Sequence, residues 1–319
     1  MSLTVAVQMD PLERINIVGD STFAIMLKAQ ELGHTLYWYA PEDLSYAEGR
    51  LWTMGYPVNV QRVKGEHYSF GEPRILDLGK DVDVVLMRQD PPFDLGYITA
   101  THLLERLGSE TLVVNDPASV RNAPEKLWVL DFPQFMPPTA ITRSLGLARK
   151  FLAEHGEIVL KPLHGFAGGS VFRIGQDGLN LASLMEVFNR TYREPHVLQK
   201  FLPEIAEGDK RIVLIDGEVA GAINRVPGEG EIRSNLAVGG KAAKSELTGR
   251  EEEICAALGP ELSRRGLVFV GIDVIGGQWL TEINVTSPTG IVAIDEFNGT
   301  DTPALTWKAI ERRLHECIN

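Results

Sequence analysis

The sequence predicts two successive fold types: an α/β unit on a doubly wound parallel sheet, then an α+β region of antiparallel pairs. Three observations predict it. Short apolar runs alternate with amphipathic stretches through the first third. The loop Asn115-Asp116-Pro117, with proline placed for the first turn of a helix, then marks a boundary. Beyond it, Asp216-Gly217 and Gly276-Gly277 are hairpin signals between apolar strands. A chain of 319 residues has the length of about two domains.

Thr4-Val5-Ala6-Val7 reads as the first strand. Residues 21–32 read as a helix, with Phe23, Met26, Leu27 and Leu32 at helical spacing and Gly33 as its stop. Residues 35–39, 83–87 and 111–114 are further strands, with a helix at 98–107. Past the boundary, 158–160, 197–199, 211–215 and 218–223 are strands, and 251–265 is a helix. A closing helix at 303–317 puts Leu305, Ile310 and Leu314 on one face.

Hydrophobic residues are 44% and charged residues 23%, an ordinary globular balance. The formal net charge of -12 argues against nucleic acid or an anionic membrane surface as the main partner. No apolar run approaches the ~20 residues of a membrane span. The N-terminus turns polar too soon for a signal peptide. The two cysteines, Cys255 and Cys317, form no metal spacing and no disulfide framework. The expectation is a cytoplasmic protein.

The most informative chemistry lies at residues 268–285. Two apolar runs there are broken by Asp273 and by Glu282 and Asn284. Side chains alternate faces along a strand, so Glu282 and Asn284 share one face. With Gly276-Gly277 as a two-residue turn, Asp273 joins that face, diagonal to Glu282. An all-oxygen cluster suits a hard cation such as Mg²⁺, which shares its coordination with nucleotide phosphates. The alternative, an edge hairpin with two solvated acids, fits poorly with strands this apolar.

Lys161 closes the run Ile158-Val159-Leu160 just before Pro162, at a strand end from which it can reach a cleft. Gly165-Phe166-Ala167-Gly168-Gly169-Ser170 follows, and such a turn lets backbone N–H groups approach phosphate oxygens. The lysine precedes the glycines, so this is not a Walker A loop. Gln199-Lys200-Phe201-Leu202 leaves another strand before Pro203, where backbone could meet an adenine edge, and reads equally well as an ordinary strand exit. Arg211, Arg225 and Arg233 recur through glycine-rich turns, and guanidinium groups are the usual forks for carboxylate and phosphate. Arg88 and Asp90 follow one strand of the first unit and Asp20-Ser21 another, at the ends where open α/β sheets bind ligands. Asp20-Ser21 also has the form of a plain helix cap. No histidine sits in a metal spacing, and His164 is the one beside the glycine loop. Lysines, glycine loop, arginines and oxygen cluster together describe phosphoryl chemistry on Mg-ATP.

These residues resemble the ATP-grasp superfamily and, within it, the bacterial glutathione synthetases, over nearly the whole chain. The resemblance rests on Met9-Asp10-Pro11, Ile15-Asn16-Ile17, Asp90-Pro91-Pro92-Phe93-Asp94, Asn115 with Glu125-Lys126-Leu127, and Leu160-Lys161-Pro162-Leu163. It continues through Gly208-Asp209-Lys210-Arg211, Arg233 with Asn235-Leu236-Ala237, and Thr281-Glu282-Ile283-Asn284-Val285-Thr286-Ser287-Pro288-Thr289. The Glu-x-Asn pair is general to the superfamily; the double-proline loop and the Thr-Ser-Pro-Thr tail are more specific.

The resemblance implies a doubly wound pre-ATP-grasp N-terminal domain at residues 1–122, on the dipeptide side. A two-subdomain ATP-grasp fold follows at 123–319, with a lid subdomain at about 123–200 and a metal and phosphate subdomain at about 201–319. Lys126 and Lys161 are then expected on phosphates, and Gly165, Gly168, Gly169 and Ser170 in a mobile lid. Gln199, Lys200, Phe201 and Leu202 are expected on adenine, and Asp209 on ribose. Asp273, Glu282 and Asn284 would hold two Mg²⁺, or Mn²⁺. Arg211, Arg225 and Arg233 would face the transferring phosphoryl group. Asp20, Ser21, Arg88, Asp90, Ser287 and Thr289 would serve the dipeptide side. This chain departs from the family pattern at Gly19 and Gln89, where lysines are usual, at His164 for an aspartate, and at Lys241 for an arginine.

The implied reaction phosphorylates the C-terminal carboxylate of γ-glutamylcysteine with ATP. The glycine amine then attacks the acyl phosphate, giving glutathione, ADP and phosphate without a protein nucleophile. Another ATP-grasp ligase, joining D-alanine to D-alanine or adding glutamate, would share the nucleotide site and differ at residues 15–21, 88–94 and 287–290. A non-catalytic ATP-binding module would be marked by lost metal ligands, and all three are present. The family further implies a homo-oligomer, a tetramer of the same chain.

Overall fold

The computed structural model describes residues 2–165, 168–236 and 239–318, and only the backbone of Cys317 and Ile318. Phe166 and Ala167 of the expected lid, Ala237 and the Cys317 side chain thus lie outside the described residues.

Eight strands make the first sheet: β1 (Thr4–Gln8), β2 (Thr35–Tyr39), β3 (Ser45–Ala47), β4 (Arg50–Val60), β5 (Tyr68–Phe70), β6 (Arg74–Asp77), β7 (Val84–Met87) and β8 (Leu112–Val114). The run β2-β1-β7-β8 is parallel and apolar, as strands covered on both faces should be. The rest corrects the all-parallel expectation. β4 is antiparallel to β2, and β3, β5 and β6 are antiparallel to β4. Gly55 and Pro57 mask β4 in the sequence, since both are unusual inside strands. Gly55 makes room for Leu76, since a Cβ there would stand 2.2 Å from Leu76 Cδ1 and force that buried side chain to move.

Helices α1 (Ser21–Glu31) and α2 (Leu95–Leu104) begin at aspartate caps. Asp20 accepts the Phe23 N–H at 2.7 Å, and Asp94 accepts the Tyr97 N–H at 3.0 Å. The Asp94 cap explains why α2 starts three residues before the expected Ile98. Asp116 caps α3 (Pro117–Arg121), with its proline in the first turn.

The second sheet is antiparallel in the order β11-β10-β12-β9, from β9 (Thr139–Thr142), β10 (Ile158–Pro162), β11 (Phe172–Ile174) and β12 (His196–Lys200). It shares a core with α4 (Leu145–His155) and α5 (Leu181–Thr191), built on Phe151, Leu160, Met185 and Leu198.

The third sheet is antiparallel in the order β15-β14-β13-β16-β17. Its strands are β13 (Asp209–Ile215), β14 (Glu218–Val226), β15 (Lys241–Lys244), β16 (Phe269–Ile275) and β17 (Trp279–Asn284). Alternation gives β13 two distinct faces. Ile212 and Leu214 join the core with Ile254 and Leu258 of α6 (Gly249–Arg264). Val213 and Ile215 join the core with α7 (Ile291–Asn298) and α8 (Thr302–Ile318). The expected Asp216-Gly217 turn has positive φ at both residues, 51° and 86°. Gly217 and Gly259 of α6 meet so closely that a Cβ on Gly217 would lie 2.4 Å from the Gly259 carbonyl oxygen.

On α8, the expected Leu305 face is wrong. Leu305 is exposed, while Trp307 and Ile310 are fully buried and Leu314 packs beside them. Spacings of three and four from Trp307 keep one stripe, whereas Leu305 and Ile310 are at a spacing of five. Trp307 Nε1 donates to the Ile25 carbonyl at 2.9 Å, tying α8 to α1. Asn115, just past β8, donates to the Phe269 and Val285 carbonyls and accepts the Phe269 N–H, all at 2.8 Å. One buried amide thus joins the first sheet to the β16–β17 hairpin. Among the described residues, no helix is long and apolar enough to cross a membrane.

Candidate active site

The main cleft lies between the second and third sheets, with the loop after β7 at one end, and has a volume of about 380 Å³. The β16–β17 hairpin forms its floor. Its turn corrects the sequence expectation: three residues, Gly276, Gly277 and Gln278, connect Ile275 to its partner Trp279. A three-residue loop by itself would set Thr281 opposite Asp273 and turn Glu282 away. The ladder instead slips one residue between Asp273 and Val274, so Asp273 pairs directly with Glu282. Loop and bulge together restore the shared face, and Asp273, Glu282 and Asn284 all line the cleft.

Arginines and lysines hold these acids. Arg211 forks onto Asp273 through Nε at 2.5 Å and Nη2 at 3.0 Å, and its Nη1 donates to the Thr289 carbonyl at 3.2 Å. Arg225 Nη2 bridges Asp209 at 2.5 Å and Asp273 at 3.1 Å. Burial alone would raise the Asp273 carboxyl, but the two guanidiniums outweigh it and hold the group well below its ordinary range. Burial lifts Asp209 to about 6, only partly offset by an arginine it must share. Glu282 lies 3.4 Å from Lys126 Nζ and 3.3 Å from Lys161 Nζ, and these ammoniums overcome its burial and lower its pKa.

The donor set fits a hard cation: two carboxylates and one amide, all oxygen. Asn284 donates its Nδ2 to Asp273 at 3.3 Å, a bond that does not use its carbonyl oxygen. Among the described residues, Asp209 Oδ1 and Arg225 Nε are buried beside the cleft without a hydrogen-bond partner, so the lining has polar valence to spare. Among the described residues, no group of three or more His, Cys, Asp or Glu gathers as a metal site, because the third donor here is an amide.

Most expected site residues line this cleft: Lys126, Lys161, Gly165, Gly168, Gly169, Gln199, Lys200, Phe201, Leu202, Asp209, Arg211, Arg225, Arg233, Asp90, Ser287 and Thr289. Lys126 Nζ donates to the Gly165 carbonyl at 2.7 Å. Gly168 has a φ of +72°, which favours glycine, and a Cβ there would stand 2.8 Å from Asn235 Oδ1, so that side chain would have to shift. Arg233 pairs with Glu231. Ser287 Oγ donates to Asp90 Oδ1 at 2.8 Å.

Four expected residues are not among the cleft lining. Asp20 caps α1, and Ser21 Oγ accepts the Gly290 N–H at 3.2 Å. Arg88 is buried behind the cleft, donating to Thr22 Oγ1 at 3.0 Å and to the Pro288 carbonyl at 2.9 Å. Ser170 Oγ accepts the Tyr192 hydroxyl at 3.2 Å. Of the departures, Gln89 is buried and accepts from the Gln8 amide, while Gln8 accepts from Tyr39 at 2.9 Å. Gln89 is therefore part of an internal polar chain, not of the cleft wall. Gly19 and Lys241 are exposed.

The sequence reading quoted Glu125 within the family motif but gave it no role, and it reaches the cleft beside Lys126. It overlooked the apolar wall of Val159, Ile205 and Ile275. Two of those were available by alternation: Val159 precedes Lys161 by two positions, and Ile275 follows Asp273 by two.

Comparison with known proteins gives the family and the fold. Residues 3–121 match the N-terminal domain of prokaryotic glutathione synthetase, and residues 125–299 match its ATP-grasp domain. A glutathione synthetase of Rhodopseudomonas palustris is 56% identical over 98% of this chain and 99% of its own length. One from Bradyrhizobium diazoefficiens is also 56% identical, over 98% and 99%. Among solved structures, D-cycloserine synthetase DcsG superposes with a TM-score of 0.69 at 18% identity, over 98% of this chain and 99% of that one, a likeness of fold. The chain thus belongs to the prokaryotic glutathione synthetase family and is an ATP-dependent ligase with the ATP-grasp fold.

Proposed function

We infer that this chain joins γ-glutamylcysteine to glycine, consuming ATP and releasing glutathione, ADP and phosphate through an acyl phosphate. The observation that carries it is an acid hairpin, Asp273-Glu282-Asn284, faced by Lys126 and Lys161 in a chain of full-length family kinship.

In this reading, Lys126 and Lys161 exchange Glu282 for the nucleotide phosphates, which frees the Glu282 oxygens. Asp273, Glu282 and Asn284 would then hold two Mg²⁺, with Mn²⁺ as a substitute. Bound there, the ions would neutralise developing phosphoryl charge. The adenine edge would meet backbone at Leu202, since the N–H groups of Lys200 and Phe201 already bond the Pro138 and Glu157 carbonyls at 2.9 Å each. Asp209 would take the ribose, and Val159 and Ile275 the flat faces of the base. Arg211, Arg225 and Arg233 would stabilise the transferring group and the acyl phosphate. Asp90, Ser287 and Thr289 would contact the dipeptide side, with Arg88, Asp20 and Ser21 supporting them from behind. Gly165, Gly168, Gly169 and Ser170 would act as a lid over the acyl phosphate. A two-domain division near residue 122, a cytoplasmic location and a tetramer complete the proposal.

The test is Mg²⁺-dependent phosphate release from ATP with γ-glutamylcysteine, with and without glycine. Release requiring both substrates, with glutathione formed, is the expected result. A panel in which D-alanine or glutamate replaces the dipeptide and is ligated instead would overturn it. Sedimentation of the purified chain checks the tetramer.

A further inference from the structure

His164 is the one histidine beside the glycine-rich loop, and the reaction above gives it no task. Its half-buried ring lies against Phe93 of the loop after β7, with centroids 5.7 Å apart and planes tilted by 36°. Phe93 in turn packs on Tyr97 at 5.3 Å, and Tyr97 is buried in the core. The stack therefore spans two parts of the molecule. Phe93 belongs to the segment that begins with Asp90, and His164 follows β10 of the second sheet. Among the described residues, a pocket of about 10 Å³ lies beside it, lined by Pro91, Glu125, Leu163 and Thr286. Close packing of this kind passes a displacement on to its neighbours.

The next residue shows what the stack can move. The Gly165 carbonyl accepts the Lys126 ammonium at 2.7 Å, and a Cβ on Gly165 would stand 2.4 Å from Pro162 Cγ. Gly165 is thus crowded on one side and bonded on the other, and His164 is its covalent neighbour. Burial lowers the imidazole pKa, Glu194 opposes that and Lys126 adds to it, so the ring is neutral at neutral pH. A neutral ring brings no charge to compete with Lys126.

We propose that His164 is a positioning residue: its ring, stacked on Phe93, sets Gly165 and thereby aims the Lys126 ammonium into the cleft. The proposal rests on the ligase reading. It predicts that the shape of the ring matters and its nitrogen atoms do not.

The experiment uses the full-length chain with His164→Ala, His164→Phe, Phe93→Ala and the Phe93/His164 double alanine variant. Both single alanine variants should lower kcat and weaken ADP binding roughly three- to tenfold, the range of one aromatic pair. The double variant should be no worse than either single one, and His164→Phe should stay near wild type. In a Lys126→Met background, His164→Ala should change nothing further. Additive losses, a His164→Phe as poor as alanine, or an undiminished effect in the Lys126→Met background would each overturn the proposal. If His164→Ala does not fold, His164→Asn against His164→Phe decides the same point, with only the former impaired. Wild-type chain that forms no glutathione sinks the ligase reading instead, while ADP binding still reads the stack.

Discussion

Two ion-paired clusters grow from adjacent residues of one strand. Lys210 points from β13 towards α6, where its Nζ meets Glu251 at 2.6 Å and the Glu246 carbonyl at 2.7 Å. Arg211, one position on, points the other way and forks onto Asp273. Both pairs are buried. The difference is what surrounds them. Glu251 also accepts the Thr248 N–H at 2.7 Å in a capping box, so the first cluster closes on helix and sheet. The second faces a cleft of about 380 Å³ and shares its acids with Arg225 and, through Glu282, with two lysines. Residue type and burial therefore do not separate a structural ion pair from a reactive one. Access and surplus cations do.

The strongest way to break this contrast is Asp273→Asn. It should lower glutathione formation by about 10²–10³-fold, by analogy with losing one preorganised electrostatic group. It should also cost about 3–5 kcal/mol, because Arg211 and Arg225 lose a buried counter-charge. Product assay and thermal unfolding check both, and near-normal turnover would mean that the cleft cluster is structural after all.

The closed pair should behave oppositely. Lys210→Met or Glu251→Leu alone should each cost about 3–5 kcal/mol, while the double substitution should recover most of that loss. A residual deficit of about 1 kcal/mol is expected from the broken capping box. Glutathione formation at low temperature should be unchanged in the double variant. A large loss of turnover would mean that the two faces of β13 are coupled.

Arg233 sits between the extremes, lining the cleft but half-exposed and paired with Glu231. Arg233→Ala should lower turnover by roughly tenfold and leave ATP affinity nearly intact, the pattern of a contact made in the transition state. Weaker ATP binding with normal turnover would assign it to the ground state instead.

The smallest effect concerns a third acid on the same strand system. Asp216 accepts from Arg312, Arg313 and Ser263. Burial raises its carboxyl pKa, but the Arg313 and Arg312 bonds outweigh that and hold it below its ordinary value. An acid with a lowered folded pKa stabilises above its unfolded value and loses that contribution as pH falls through the folded one. Asp216→Asn should thus cost about 1–3 kcal/mol at neutral pH. The gap from wild type should narrow as pH drops below ~4. A gap independent of pH would show that shape, not charge, holds α8 against the turn.

Much of the site could be read along the chain. Asp273, Glu282 and Asn284 stood out as polar interruptions in apolar strands, and Lys161 as a lysine at a strand end. Lys126 was different. Nothing local distinguishes it, and only the family resemblance singled it out. Glu125, quoted only within that motif, received no role for the same reason. The β3–β6 ribbon was missed because glycine and proline blur its period, although its long-range pairing tolerates both. Arg88 and Gln89 had the right place in the sequence for a ligand site, yet both turn into the interior, Arg88 to the Pro288 carbonyl and Gln89 to Gln8.

Residue chemistry, alternation along strands, helix caps and family membership are properties of neighbours in sequence, and the chain alone carried them. Register across the bulge opposite Asp273, the two fates of Lys210 and Arg211, and the seat of His164 on Phe93 are not of that kind. Each depends on which surfaces meet after distant segments close on one another. That choice is made by packing and burial across the whole molecule, which no local pattern encodes.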